Sequence, residues 1–145
     1  MQKFRFLEHT ADAMFEAYGR DLNELFQNAA LALQTIQVDP KTVTPKEKQT
    51  ITLEKTQIDM LLFDFLQELI YLKDATETIF SKFKVNIKET KTKDNLLYIL
   101  TADCFGEKIN RKKHDLDRDA KAVTLHKFEV KKEDGQWIAR VIIDI

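Results

Sequence analysis

Asp21-Leu22-Asn23-Glu24-Leu25-Phe26-Gln27-Asn28-Ala29-Ala30-Leu31-Ala32-Leu33-Gln34-Thr35-Ile36 is the stretch from which the architecture of this chain can be read. Leu22, Leu25, Phe26, Ala29, Leu33 and Ile36 recur at helical spacing, so one stripe of the segment is apolar and predicts a helix from about Leu22 to Ile36. Asp21 stands three residues before Glu24, the spacing of a capping box with Asp in the Ser/Thr role. Working outward, Met14 to Tyr18 reads as a strand closed by Gly19, and Phe4 and Phe6 alternate with Arg5 as a first strand. His9 to Asp12 is polar and small, which predicts a turn. On the other side, Pro40 and Pro45 bracket a loop.

A short strand, Thr50 to Glu54, precedes a second helix whose stripe is Ile58, Leu61, Leu62, Phe65, Leu66, Leu69 and Ile70. Asp59, Asp64, Gln67 and Glu68 lie off that stripe, so it reads as core. The remainder is mostly strand. Phe83, Val85 and Ile87 alternate with polar residues, Asp94-Asn95 turns into Leu96 to Ala102, and Ala122 to Val130 alternates again. Glu133-Asp134-Gly135 predicts a hairpin turn into Gln136 to Ile145, with Trp137, Ala139, Val141 and Ile143 on one side. Two helices and about eight strands predict an α+β fold. The expected form is a two-layer sandwich, with a mixed, mostly antiparallel sheet, both helices on one face and additional short strands. Residues 1–145 read as a single domain without repeat or linker.

Composition narrows the function. With 43% hydrophobic and 32% charged residues, a core can form under a charged surface, and three Gly with two Pro exclude a fibrous or disordered chain. No apolar run approaches the roughly 18 residues of a membrane span, which argues against a membrane protein. The start lacks the apolar run of a secretory signal, and Cys104 is the one cysteine. A reduced, cytoplasmic protein is therefore expected. The net charge of −1 argues against a general nucleic-acid coat. The charge is uneven, however. Residues 1–80 hold 8 Lys and Arg against 13 Asp and Glu, whereas residues 81–145 hold 15 against 11. The densest basic segment, Lys108, Arg111, Lys112 and Lys113, suits a phosphate or an acidic partner, or simply a solvated loop.

Asp12 follows the polar turn near one end, and Asp144 lies between Ile143 and Ile145 near the other. If the first and last strands lie side by side, these two carboxylates and the α-carboxylate at Ile145 would form a hard-cation site for Ca²⁺ or Mg²⁺. His9 beside Glu8 could be an oriented general base, or a turn histidine satisfied by backbone. The histidines His9, His114 and His126 form no HExxH pair, and Cys104 has no CxxC companion, so zinc is not expected. No GxxxxGK[ST] or GxGxxG occurs, which disfavours a self-contained nucleotide enzyme. Lys121, among Ala120, Ala122, Val123 and Thr124, suits a phosphate or partner carboxylate, or is the outward residue of a strand.

Several blocks are similar to those of the archease family. They are Phe6-Leu7-Glu8-His9-Thr10-Ala11-Asp12, Ala17-Tyr18-Gly19-Arg20-Asp21-Leu22 and Leu61 to Leu72. Lys121-Ala122-Val123-Thr124-Leu125-His126 and Trp137 to Ile145 follow in family order. The resemblance implies an accessory protein of the RtcB-type RNA-splicing ligase, promoting guanylylation and multiple turnover in tRNA splicing and RNA repair and altering nucleotide preference. It implies no turnover of its own, no membrane, and RNA contact that is indirect or weak. It further implies a calcium site at Asp12, Asp144 and Ile145, with Lys121 as the functional lysine. Chaperone-like action on a tRNA cytosine methyltransferase is the alternative, and a small metal-dependent hydrolase is a third reading. Asn110, Lys113-His114, Asp119-Ala120 and Leu125 depart from the family pattern.

Overall fold

In the computed structural model, residues 2–8 and 11–145 are described. In chain order the elements are β1 (Phe4–Leu7), β2 (Ala13–Gly19), α1 (Leu22–Gln37), a 3-10 turn (Pro40–Thr42) and β3 (Glu47–Lys55). They continue with α2 (Ile58–Thr76), β4 (Thr78–Lys91), β5 (Leu96–Lys108), β6 (Ala122–Glu133) and β7 (Gln136–Asp144).

The cap read from sequence forms. The Asp21 carboxylate accepts from the Glu24 N–H at 2.8 Å, and the Glu24 carboxylate accepts from the Arg20 N–H at 3.0 Å. One amide donor that the first turn of α1 leaves without a partner, that of Glu24, is thereby satisfied, and the Glu24 carboxylate reaches back to the residue before the cap rather than to the cap itself. Asp21→Ala is expected to lower stability by about 1 kcal/mol. Urea unfolding checks this, and an unchanged midpoint would mean that the cap contributes nothing.

The α+β architecture is as expected: two helices with antiparallel, hairpin-joined strands. The layering is more divided than the single sheet anticipated. Four strands form one sheet in the order β1-β2-β7-β6, and three form a second in the order β3-β5-β4, with every ladder antiparallel. Each helix touches both sheets: α1 lies on β2, β7 and β4, and α2 on β6, β3, β4 and β5. The helices do a second job that apolar periodicity does not reveal. Asn23 and Gln27 of α1 accept from the N–H groups of Ile87 and Val85 at 2.8 and 3.0 Å, along the edge strand β4. Gln67 of α2 accepts from the Val123 N–H of the other edge strand, β6, at 2.6 Å. Side-chain amides thus satisfy sheet edges that would otherwise invite pairing.

One core joins the layers. Phe15, Val141 and Ile143 from the first sheet, Leu100, Ala102 and Cys104 from the second, and Phe26, Leu33, Phe65 and Leu69 from the helices are fully buried together. Cys104 is a core residue whose thiol burial pushes up to about 12, with the Asp103 charge adding to the shift. It is neither exposed nor activated.

β5 runs on to Lys108, past the Ala102 end expected from alternation. Gly106 permits this: a Cβ there would lie 1.9 Å from the Ile79 carbonyl oxygen, across a bulge between Phe80 and Lys82. The predicted hairpin turn is present, with Asp134 and Gly135 at φ 52° and 76° and Glu133 paired with Gln136.

Candidate functional site

The site is set by the register of the central strands in the first sheet. In the β2–β7 ladder the last pair is Ala13 with Ile143; Asp12 immediately precedes Ala13 and Asp144 immediately follows Ile143. In the β6–β7 ladder Ala122 faces Asp144, and the Lys121 N–H donates to the Asp144 carbonyl at 2.7 Å. Asp12, Asp144 and Lys121 therefore occupy neighbouring strand ends on one tip of the molecule. Residues directly opposite in an antiparallel pair point to the same face. Ala13 and Ile143 are buried toward the helices, so Asp144, the next residue of β7, belongs to the other face. Asp12 is half-buried and Asp144 exposed. Ile145, next along the chain, packs its side chain against the core.

This donor set suits a hard cation. Among the described residues no three His, Cys, Asp or Glu side chains are grouped so that they could hold a metal ion by themselves. Carboxylate and main-chain oxygens match Ca²⁺ or Mg²⁺ and not a thiolate- or imidazole-seeking ion. His9, with its proposed general-base role, lies outside the described residues. Glu8, Phe6, Leu7, Asp12 and Met14 line a cleft of about 510 Å³ that also includes Arg118.

Arg118 was not singled out from sequence. It arrives by a loop that α1 and α2 hold in place. The N–H groups of Asp117 and Arg118 donate to the Gln37 and Ile36 carbonyls at 2.8 and 3.1 Å, at the end of α1. From α2, the buried Lys73 ammonium donates to the Ala120 carbonyl at 2.7 Å and pairs with Asp119, and Asp74 approaches it at 3.1 Å. Lys73 thus fixes the residue immediately before Lys121, and no apolar period marks such a role. Lys73→Met, which keeps the stem but removes the charge, is expected to cost about 2 kcal/mol. The same variant should also loosen Lys121, seen as faster amide exchange at residues 119–122. Unchanged exchange would show that Lys73 does not position this segment.

The basic segment is anchored separately. Glu107 is buried at the end of β5. It accepts from Lys113 Nζ at 2.6 Å, the Thr44 N–H at 2.8 Å and His114 Nε2 at 2.9 Å, with Lys46 Nζ at 3.6 Å. His114 Nδ1 accepts from the Asn110 N–H at 2.9 Å, so the ring proton sits on Nε2 and points at Glu107. Burial pushes the Glu107 carboxyl up, but the hydrogen bonds from Lys113, His114 and Thr44 outweigh it and bring it to about 2. His114 is a structural residue in this loop. Leu125 is 60% exposed and begins the irregular stretch between Thr124 and Glu129 of β6.

Comparison with known proteins agrees with this architecture. The archease protein family model matches residues 4–145. An archease from Methanothermobacter thermautotrophicus is 42% identical over 145 residues, covering 100% of both chains. A solution structure of Methanobacterium thermoautotrophicum protein 1598 superposes with TM-score 0.80 at 37% identity, covering 100% of both chains. A crystal structure from Thermotoga maritima, described as an archease and possible chaperone, shares the fold alone. Its TM-score is 0.57 at 17% identity, over 96% of this chain and 94% of that one. With a family match that leaves out only the first three residues and a relative 42% identical from end to end, this chain belongs to the archease family.

Proposed function

We propose that this protein is an accessory factor of an RtcB-type RNA-splicing ligase, acting in the cytoplasm without turnover of its own. On this reading it promotes guanylylation of the ligase and its repeated use, and alters its nucleotide preference. Asp12, Asp144 and a main-chain oxygen of Ile145 would hold a divalent cation, Ca²⁺ or Mg²⁺. When bound, that cation supplies positive charge to phosphate oxygens. Lys121 adds an ammonium to the same tip, and the backbone bond to Asp144 together with the Lys73 anchor keeps that lysine there. A tip of this kind, docked at a ligase active site, favours transfer of the nucleotidyl group to the ligase's own nucleophile by lowering the electrostatic cost of the reacting phosphates.

The observation that carries this reading is the adjacency of Asp12, Asp144 and Lys121 on three neighbouring strand ends. The test is ligase turnover under limiting ligase, with and without this protein, across a titration of divalent metal. The expected result is multiple turnover only when protein and metal are both present. Turnover independent of this protein would overturn the proposal.

A second reading is a chaperone or specificity factor for a tRNA cytosine methyltransferase. It draws on the description of the Thermotoga maritima structure as a possible chaperone. Co-purification with the tagged protein discriminates the two, according to whether ligase or methyltransferase comes down.

A further inference from the structure

The outer face of the β3-β5-β4 sheet is covered by neither helix, because both helices lie on its inner face. Its side chains form rows set by the ladder. Lys48, Phe105 and Lys82 form one row, Thr50, Asp103 and Lys84 the next, then Thr52, Thr101 and Asn86, then Glu54, Ile99 and Lys88. Phe105 sits half-exposed on the central strand between two exposed lysines, and the Lys82 ammonium lies 5.6 Å from its ring centroid. Lys82, Lys84 and Lys88 point outward along one rim. Consecutive outward residues on a strand are about 7 Å apart, close to the phosphate step of an extended single strand. Ile99 gives a second apolar platform on the central strand, six residues, or about 20 Å, from Phe105. Lys46 continues the β3 column toward Glu107, so the basic loop of Arg111 and Lys112 adjoins the Phe105 end.

We propose that this face binds single-stranded RNA, with a base stacked on Phe105 and phosphates tracked by Lys48, Lys82 and Lys84. An open sheet with an aromatic ring inside a lysine frame supplies the two parts of sequence-tolerant strand binding: a stacking platform and an electrostatic track. Thr52, Thr101 and Asn86 place hydroxyl and amide groups in the middle of the face, where a 2′-hydroxyl can be met. The acids on the face, Asp103 and Glu54, are outnumbered by Lys48, Lys82, Lys84 and Lys88, so the face keeps a net positive charge. Asp103, on the central strand between Thr50 and Lys84, accepts from the Thr50 hydroxyl at 2.8 Å. The whole chain carries a net charge of −1, so this patch is segregated and is not an expression of a basic protein. The surface belongs to the β3-β5-β4 sheet, whereas Asp12 and Asp144 border the β2–β7 pair of the other sheet, and its role does not depend on the ligase reading.

The test is fluorescence anisotropy of the full chain with a 5′-fluorescein-labelled 12-nucleotide oligouridylate at 50 and 200 mM KCl. With three or four phosphates neutralised, the salt slope is expected between about −2 and −3, so affinity falls about 20- to 50-fold across that range. Lys82→Ala with Lys84→Ala should reduce the slope by about 1.4. Phe105→Leu, which keeps the apolar bulk and removes the stacking face, should weaken binding about tenfold. Asp144→Ala should leave binding unchanged. An RNA duplex of the same length and the matching deoxyoligonucleotide should bind more weakly. Equal binding of DNA and RNA would contradict the assignment to RNA. Affinity unaffected by both the lysine and the Phe105 variants would overturn the site. Displacement of the RNA by polyglutamate, with equal affinity for wild type and Phe105→Leu, would mark the face as a dock for an acidic protein instead.

Discussion

Glu107→Ala is expected to lower the free energy of unfolding by about 3–5 kcal/mol, read from urea denaturation at neutral pH. The carboxylate is the acceptor for the Lys113 ammonium, the Thr44 N–H and the buried His114 ring. Truncation leaves the buried His114 ring N–H without a partner, and the cost of an unmade buried hydrogen bond exceeds the net gain of a made one. The two short stretches around it, residues 42–44 and 109–116, would loosen together, because Val38, Val43 and Ile79 form a small satellite core against Ile109 and Leu116 beneath them.

The acid dependence has a definite sign. The folded carboxyl is held at about 2, below the ordinary 4.5. Its contribution is therefore complete above pH 4.5 and is lost as pH falls toward 2. Glu107→Gln should flatten stability in that window. A loss below about 1 kcal/mol for Glu107→Ala would show that the loop reorganises around the missing acid.

The largest functional effect is expected at the tip. Asp12→Ala or Asp144→Ala each removes one of two side-chain carboxylates from the proposed cation site, and should weaken Ca²⁺ binding by about a hundredfold or more. Thermal unfolding provides a readout free of any partner. A cation that binds only the folded protein stabilises it by about 2.7 kcal/mol at a hundred times its dissociation constant, and the two variants should lose that metal-dependent shift.

The parts of the fold legible in sequence were those with strong period. The α1 stripe and its Asp21 cap, the α2 stripe, and the Glu133-Asp134-Gly135 turn all stand where periodicity and turn chemistry put them. The division into two sheets was not legible. Strand partners depend on long-range pairing, and the edge-sealing amides of Asn23, Gln27 and Gln67 sit at polar positions that read as solvent-facing. The β5 extension was hidden because Glu107 and Gly106 break the apolar alternation, while a buried acid with four partners replaces it.

At the candidate site, the sequence could state only a condition, that the first and last strands lie side by side; the last strand instead pairs with the second, β2, whose Ala13 follows Asp12 and faces Ile143. Lys73 and Arg118 were missed for a common reason. Their importance lies in what they touch across the chain, Ala120 and the Asp12 cleft, and local pattern carries no trace of such contacts.

The most direct test of the tip as a ligase-activating device is the fraction of guanylylated ligase formed in a fixed time. It should be measured with wild-type protein and with Asp12→Ala, Asp144→Ala and Lys121→Ala, at saturating divalent metal. The account predicts that stimulation falls at least tenfold in all three variants while their folded structures persist. Stimulation equal to wild type in all three would contradict it.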